Sequence, residues 1–221
     1  MKVELLSYSP DADRICEAAG RSCYSESSSA EILREAPGSS DGVLGKIVGM
    51  GHLSVIEHAS FTFSVEGVSR SLTHQLVRHR IASFSQQSQR YVALENPTFV
   101  VPETVSSDPD SLEIYENTMR TIWEAYRALS EKVPQEDARY VLPNGCTTNI
   151  TVTMNARELV HFFSLRCCNR AQWEIRELAD RMLALCKRVS PTIFSEAGPP
   201  CVRGPCPEGR LTCGRPRRDL K

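Results

Sequence analysis

Two stretches of strict alternation, each running directly into a helical repeat, constrain this chain more than any other feature. In "HASFTFSVEG", His58 to Gly67, the residues Phe61, Phe63 and Val65 fall on one side of an extended backbone, which predicts a strand with one covered face. The spacing of Leu72, Leu76 and His79 then predicts a helix over residues 69–79. "TTNITVTMN", Thr147 to Asn155, alternates in the same way. Asn155, with Glu158 three residues on, opens a helix through "ARELVHFFSLRCC".

The remaining elements follow from simpler signals. "KVELLSY" reads as a first strand, and Ser9-Pro10-Asp11 as the start of a helix through Ile15 and Ala18. The serine-rich "GRSCYSESSSA" reads as a loop, Asp41 to Gly51 as a short helix weakened by its glycines, and "TFVVP" as a strand. Leu112, Tyr115, Met119, Ile122, Tyr126 and Leu129 repeat at threes and fours, predicting a long helix from Asp110 to Val133 with Asp110 and Glu113 as a capping box. Ile175, Leu178, Met182, Leu185 and Val189 form the seam of another, and beyond Pro191 the chain reads as an irregular tail. Strands and helices do not alternate regularly, so a doubly wound parallel sheet is not indicated. The expected class is α+β: a single domain with a mixed or antiparallel sheet packed by helices and long central helices.

A length of 221 residues with 41% hydrophobic content suits one substantial domain with a real core. The formal net charge of −1 argues against a general binder of nucleic acid or membrane surfaces. No apolar run approaches the ~20 residues that span a bilayer. "MKVELLSYSPDAD" carries no secretory signal, so the expected location is the cytoplasm, where thiols stay reduced and nine cysteines need no pairing.

Against that neutral background, "QLVRHRIASFSQQSQRY", Gln75 to Tyr91, gathers Arg78, His79, Arg80 and Arg90 with three serines and four glutamines. A helix running to Arg80 puts Gln75 and Arg78 near one face and His79 on the apolar side. "ASFSQQSQR" has poor helix formers and no core period, which predicts a loop presenting backbone N–H groups as well as side chains. Guanidinium forks match phosphate oxygens bidentately where lysine is only a point charge, and the segment holds no lysine. Glutamine edges suit a nucleobase or a flavin ring. The same residues also read as a basic helix end meeting its macrodipole beside a polar surface loop.

The spacing Arg78-His79-Arg80, seven residues, Ser88, one residue, Arg90 resembles the signature of the flavin-dependent thymidylate synthases. "GHLSVIEHASFTF" (Gly51 to Phe63), "ARYVLP" (Ala138 to Pro143), "MNARELVHFFSLR" (Met154 to Arg166) and "AQWEIRELA" (Ala171 to Ala179) resemble further blocks of that family in the same order. The resemblance covers residues 1–198, expected to form the catalytic domain, and leaves 199–221 as a Gly/Pro/Cys-rich tail.

The resemblance implies reductive methylation of dUMP to dTMP. Methylenetetrahydrofolate gives the carbon and leaves as tetrahydrofolate, NADPH reduces FAD, and the reduced flavin gives the hydride. It also implies a homotetramer with sites built from several subunits, no cysteine nucleophile, and neither nucleic acid nor membrane as partner. For dUMP it implies Gln75, Arg78, Gln86, Gln87, Ser88, Gln89, Arg90, Asn149 and Arg176. For FAD it implies His52, Ser54, Arg78, His79, Arg80, Gln86, Ser164, Arg166, Asn169 and Arg170. Arg176 takes the catalytic role: a fixed positive charge near N3 and O4 favours the ionised uracil ring and makes C5 more nucleophilic. Ser88 is a binding residue, with no partner base in the sequence to activate it. His58 is structural.

The chain departs from the family at Gln86, where many members are acidic, and at Arg170, where some have histidine. Asn149 stands where some have an arginine, so a phosphate contact is lost there or supplied by Arg139 or another arginine. "GVLGKIVGMGH" lacks G-x-G-x-x-G spacing, and "HLSVIEH" is not H-E-x-x-H. Cys201, Cys206 and Cys213 follow C-x4-C-x6-C, an uncommon spacing for a zinc finger. With Cys167 or Cys168 as fourth ligand they would bind a metal; otherwise they are plain thiols or a redox clip. Two other function classes use the same arginines: a flavin-less nucleotide-binding module and an RNA-binding protein, the latter disfavoured by neutral charge and few interleaved aromatics.

Overall fold

The computed structural model describes residues 1–34, 42–92 and 98–220. Strand β1 (Lys2–Tyr8) leads through Asp11, whose φ of 48° turns the chain, into α1 (Ala12–Ser22). Residues 23–28 are non-helical, as expected of the serine-rich stretch, but helix resumes as α2 (Ser29–Arg34). Of the helix expected over 41–51, Asp41 lies outside the described residues, and α3 spans Val43–Gly49. A 3-10 turn, Leu53–His58, then delivers the chain to β2 (Ser60–Ser69). Phe61, Phe63 and Val65 are fully buried, as the alternation predicts.

Helix α4 (Arg70–Leu76) is capped by Ser69, whose Oγ accepts the Leu72 N–H at 3.0 Å. It ends three residues before the predicted limit. The expected loop after Arg80 is also corrected: Ala82–Gln86 is a strand, β3. Its residues alternate half-covered (Ala82, Phe84, Gln86) and exposed (Ser83, Ser85), a period of two hidden by its polar composition. "TFVVP" contributes only an isolated antiparallel bridge, Phe99 to Cys146.

After the short α5 (Glu103–Ser106), the long helix α6 runs over Pro109–Ser130. Its cap is Asp108, which accepts the Ser111 N–H at 3.0 Å, rather than Asp110, because Pro109 already occupies the first helical position. Of the predicted seam only Tyr126 is buried; its hydroxyl donates to Gln135 Oε1 at 2.7 Å in α7 (Gln135–Ala138). Tyr115 donates to the Val100 carbonyl at 2.9 Å, and a Cβ at Gly145 would stand 2.6 Å from the Tyr115 hydroxyl, so that position excludes a side chain. Strand β4 (Thr147–Asn155) enters α8 (Ala156–Arg166) at Asn155, whose Oδ1 accepts the Glu158 N–H at 2.9 Å.

Helix α9 (Trp173–Val189) is capped by Gln172, accepting from Glu174 and Ile175 N–H at 3.1 Å each. Its buried face is Ile175, Leu178, Ala179, Met182, Leu183 and Cys186; Leu185 and Val189 are only partly covered, since a 3.6-residue turn drifts off a heptad seam. The region beyond Pro191 is not all irregular. Helix α10 (Pro191–Phe194) buries Ile193 and Phe194, and short 3-10 turns follow at 200–202, 209–211 and 218–220.

The four strands form an antiparallel sheet in the order β1-β2-β4-β3, and the class is α+β as the sequence predicts. The chain divides into two compact units. One comprises Met1–Lys2, Val65–Arg78 and Ser85–Thr151; the other comprises Val3–Ser64, His79–Phe84 and Val152–Lys221, the tail included. The second has an aromatic core in which Phe194 meets Phe61 edge-on at 5.3 Å and Phe163 at 6.0 Å. Each such ring contributes about 1.5–3 kcal/mol by leaving water. In the first, Val65, Val68, Leu72, Leu76, Ile150 and Tyr126 are buried. No helix among the described residues is long and apolar enough to cross a membrane.

Candidate active site

By leaving the helix after Leu76, the chain turns His79 inward. The Val77 N–H closes on the Thr73 carbonyl at 3.0 Å, and His79 is then only 5% exposed. Its Nδ1 lies 3.1 Å from Glu158 Oε1, and its Nε2 accepts from Arg166 Nε at 3.1 Å. A carboxylate accepts and a guanidinium donates, so the geometry selects the neutral ring with the proton on Nδ1. Burial pushes the His79 pKa below the ordinary value of 6.5; the hydrogen bond to Glu158 opposes this, while the Arg166 charge adds to it. Burial lowers Arg166 as well. Phe162 meets the imidazole edge-on at 4.9 Å, and Glu158 is itself 6% exposed. On either side, Arg78 and Arg80 are exposed, and neither guanidinium has a partner among the described residues.

Most of the residues expected to hold dUMP lie at the end of β3 and in the turn after it. Gln86 Nε2 donates to Thr73 Oγ1 at 3.1 Å and to Thr148 Oγ1 at 3.4 Å. The Gln87 N–H reaches the Asn149 carbonyl at 2.9 Å, and Asn149 Nδ2 donates to Gln87 Oε1 at 3.4 Å. Asn149 Oδ1 meanwhile accepts the Gly67 N–H at 3.1 Å, so this side chain clamps the loop to its neighbours. Ser88 Oγ accepts the Arg90 N–H at 3.1 Å, a turn-fixing bond rather than the setting of a nucleophile. Gln89 Nε2 lies 3.9 Å from Cys146 Sγ, and Arg90 contacts Glu136 Oε2 at 3.1 Å. Gln75 is half-buried at the end of α4.

Thus Gln75, Arg78, Gln86, Gln87, Ser88, Gln89, Arg90 and Asn149 fall in one unit, and Arg176 in the other. Among the residues expected at the flavin, His52, Ser54, His79, Arg80, Ser164, Arg166, Asn169 and Arg170 share the second unit, while Arg78 and Gln86 belong to the first. His52 and Ser54 are exposed beside the 3-10 turn. Ser164 donates to the His161 carbonyl at 2.7 Å and lines, with Ile81, Gly49, Gly51 and His161, a cavity of about 1340 Å³. An Arg157–Glu57 ion pair borders it.

Asn169 and Arg170 are engaged elsewhere. Asn169 Nδ2 donates to the Arg215 carbonyl at 2.7 Å, Arg170 pairs with Glu208 at 2.6 Å, and Arg176 Nη1 donates to the Asn169 carbonyl at 2.9 Å. Both Asn169 and Arg170 line a second cavity of about 640 Å³ with Cys168, Cys201, Cys206 and Cys213. Cys167 is buried, and burial drives its pKa up strongly, which leaves Cys168 as the thiol sharing a cavity with the tail. Among the described residues, no three His, Cys, Asp or Glu side chains gather as a metal site. Sequence reasoning missed Glu158 as the partner of His79, reading it only as a helix-start residue.

Residues 4–192 match the family described as thymidylate synthase complementing protein. A flavin-dependent thymidylate synthase of Geobacter sulfurreducens is 56% identical over 220 residues, covering 97% of this chain and 94% of the relative. The chain belongs to this family. Flavin-dependent thymidylate synthases of Clostridium tetani (46% identical, 97% of this chain and 94% of the relative) and Pyrococcus furiosus (45%, 96% and 91%) are also similar. The residues fit the flavin of a flavin-dependent thymidylate synthase: Arg78 and Arg80, unpaired among the described residues, offer forked donors to an anionic cofactor, with His79 held neutral between them.

Proposed function

We propose that this chain methylates dUMP to dTMP reductively, with FAD bound through Arg78, His79, Arg80 and the neighbouring His52, Ser54, Gln86, Ser164, Arg166, Asn169 and Arg170. It is an enzyme, a flavin-dependent thymidylate synthase, as its family membership indicates. FAD, when bound and reduced, supplies the hydride. Methylenetetrahydrofolate is the carbon donor and NADPH the reductant. Residues 1–198 are the catalytic domain and 199–221 a tail, in a cytoplasmic homotetramer.

The observation that carries this reading is the contrast within the motif itself: a histidine with both ring nitrogens satisfied, between two arginines without a side-chain partner among the described residues. His79 supports the backbone from which Arg78 and Arg80 project, so its part is to position. Ser88 and Arg90 bind the nucleotide with Gln75, Arg78, Gln86, Gln87, Gln89 and Asn149. Arg176, tethered by one nitrogen to Asn169, turns its remaining donors to the uracil ring and stabilises its anionic form.

An absorbance spectrum of the purified protein, followed by NADPH oxidation with and without dUMP, tests the reading. A flavin spectrum with oxidation stimulated by dUMP is expected. A protein that stays colourless after FAD is added contradicts it.

A further inference from the structure

The tail lies beyond the stretch that matches the family, residues 4–192, yet it is tied to the turn between α8 and α9. Arg217 makes the tie. Its side chain is only 12% exposed; Nη1 donates to the Cys167 carbonyl at 2.7 Å and Nη2 to Asp180 Oδ2 at 3.0 Å. Asp219 of the same tail takes Nε at 3.1 Å and Nη2 at 2.9 Å. Cys167 is the C-cap of α8, so Arg217 brings a cation to a helix end whose carbonyls lack intrahelical donors. Asp180 stands on α9 four residues beyond Arg176, one turn along the same side of the helix.

The three carbonyls that follow α8 are each held by a different donor: Cys167 by Arg217, Cys168 by the Ala171 N–H at 2.9 Å, and Asn169 by Arg176 Nη1 at 2.9 Å. The Asn169 side chain donates to the Arg215 carbonyl at 2.7 Å, so the tail holds the residue whose backbone tethers Arg176. Arg170 with Glu208, and Lys187 with the Leu220 carbonyl, fasten the tail on either side. A planar fork that joins the end of α8 to α9 fixes the spacing of the two helices where Asn169 meets Arg176. We propose that Arg217 is a positioning residue for the methylation of dUMP. It staples the tail across the turn, fixes Asn169, and through the Asn169 carbonyl sets the direction in which Arg176 presents its remaining donors to the uracil ring. Arg217 acts through Arg176 and touches no substrate. The inference rests on the reading of the chain as an enzyme acting on dUMP through Arg176.

The test is a double-mutant cycle on the full-length, FAD-loaded protein: wild type, Arg217→Gln, Arg176→Ala and the double variant. Each is followed by tritium release from dUMP labelled at C5, with KM for dUMP and the flavin spectrum. Arg217→Gln alone is expected to lower kcat about tenfold, as for a small misplacement of a reacting group, with flavin retained and KM shifted far less. In the Arg176→Ala background the same change should leave kcat where it is, because the group it acts through is gone. Equal fold-losses in the two backgrounds would reduce Arg217 to a structural role, and wild-type kcat in Arg217→Gln would overturn the proposal outright. Full turnover in Arg176→Ala would overturn it as well. Arg217→Lys should recover only part of the loss, since an ammonium lacks the planar fork; full recovery would contradict the stapling role. If Arg217→Gln does not fold, Asp180→Asn, which weakens one arm of the fork, decides by the same criterion. A wild-type protein that binds FAD and dUMP but releases no tritium overturns the functional reading itself.

Discussion

The two polar networks of the motif are built on opposite plans. His79, Glu158 and Arg166 form a closed set in which the imidazole is 5% exposed and both its nitrogens are spoken for. Arg90 and Glu136 form an open one, with side chains 49% and 52% exposed, where water screens the pair and lets it exchange. The first kind holds a shape, because any lost partner strands a buried polar group. The second kind leaves a cation available to a ligand at little cost. One short motif thus combines a rigid support with exchangeable charges.

Arg176 offers the strongest way to break this contrast, since it is half tethered and half free. Arg176→Ala is expected to lower kcat on the order of a hundredfold, as for loss of one preorganised stabiliser, with flavin retained; full turnover would remove its role. Glu158→Ala comes next. It strands the His79 Nδ1–H, and melting curves should show a loss of roughly 1–3 kcal/mol. An unchanged melt would mean that the closed network supports nothing.

The pH dependence sharpens the same point. Because burial holds the His79 pKa below its ordinary value, the unfolded chain takes up a proton that the folded one refuses. Stability is therefore full above pH ~6.5 and falls as the pH drops below it. In His79→Gln that part of the decline should vanish; an unaltered profile would contradict the neutral assignment. The smallest effect belongs to the open pair: Glu136→Gln should change stability by no more than about 0.5 kcal/mol. A larger loss would place Arg90 and Glu136 with the closed kind.

Much of the fold was legible because apolar residues marked it. Phe61, Phe63 and Val65 revealed β2, and Asn155 with Glu158 revealed the start of α8. Strand β3 was not, since its half-covered face is Ala82, Phe84 and Gln86 and its partner β4 lies far along the chain. The early end of α4 was hidden for a related reason: His79 is buried as the period demanded, but by a turn of the backbone rather than by continued helix. The candidate site residues were chosen through the spacing of Arg78, Ser88 and Arg90. The role of Glu158 as the partner of His79 was not legible, because a charge becomes informative only when its partner is seen in three dimensions.

The most direct measurement is tritium release from dUMP labelled at C5, on the FAD-loaded protein with methylenetetrahydrofolate and NADPH. The account predicts release accompanied by dTMP, abolished when either co-substrate is withheld and slowed in Arg176→Ala. A flavin-loaded protein that releases no tritium under those conditions would contradict it.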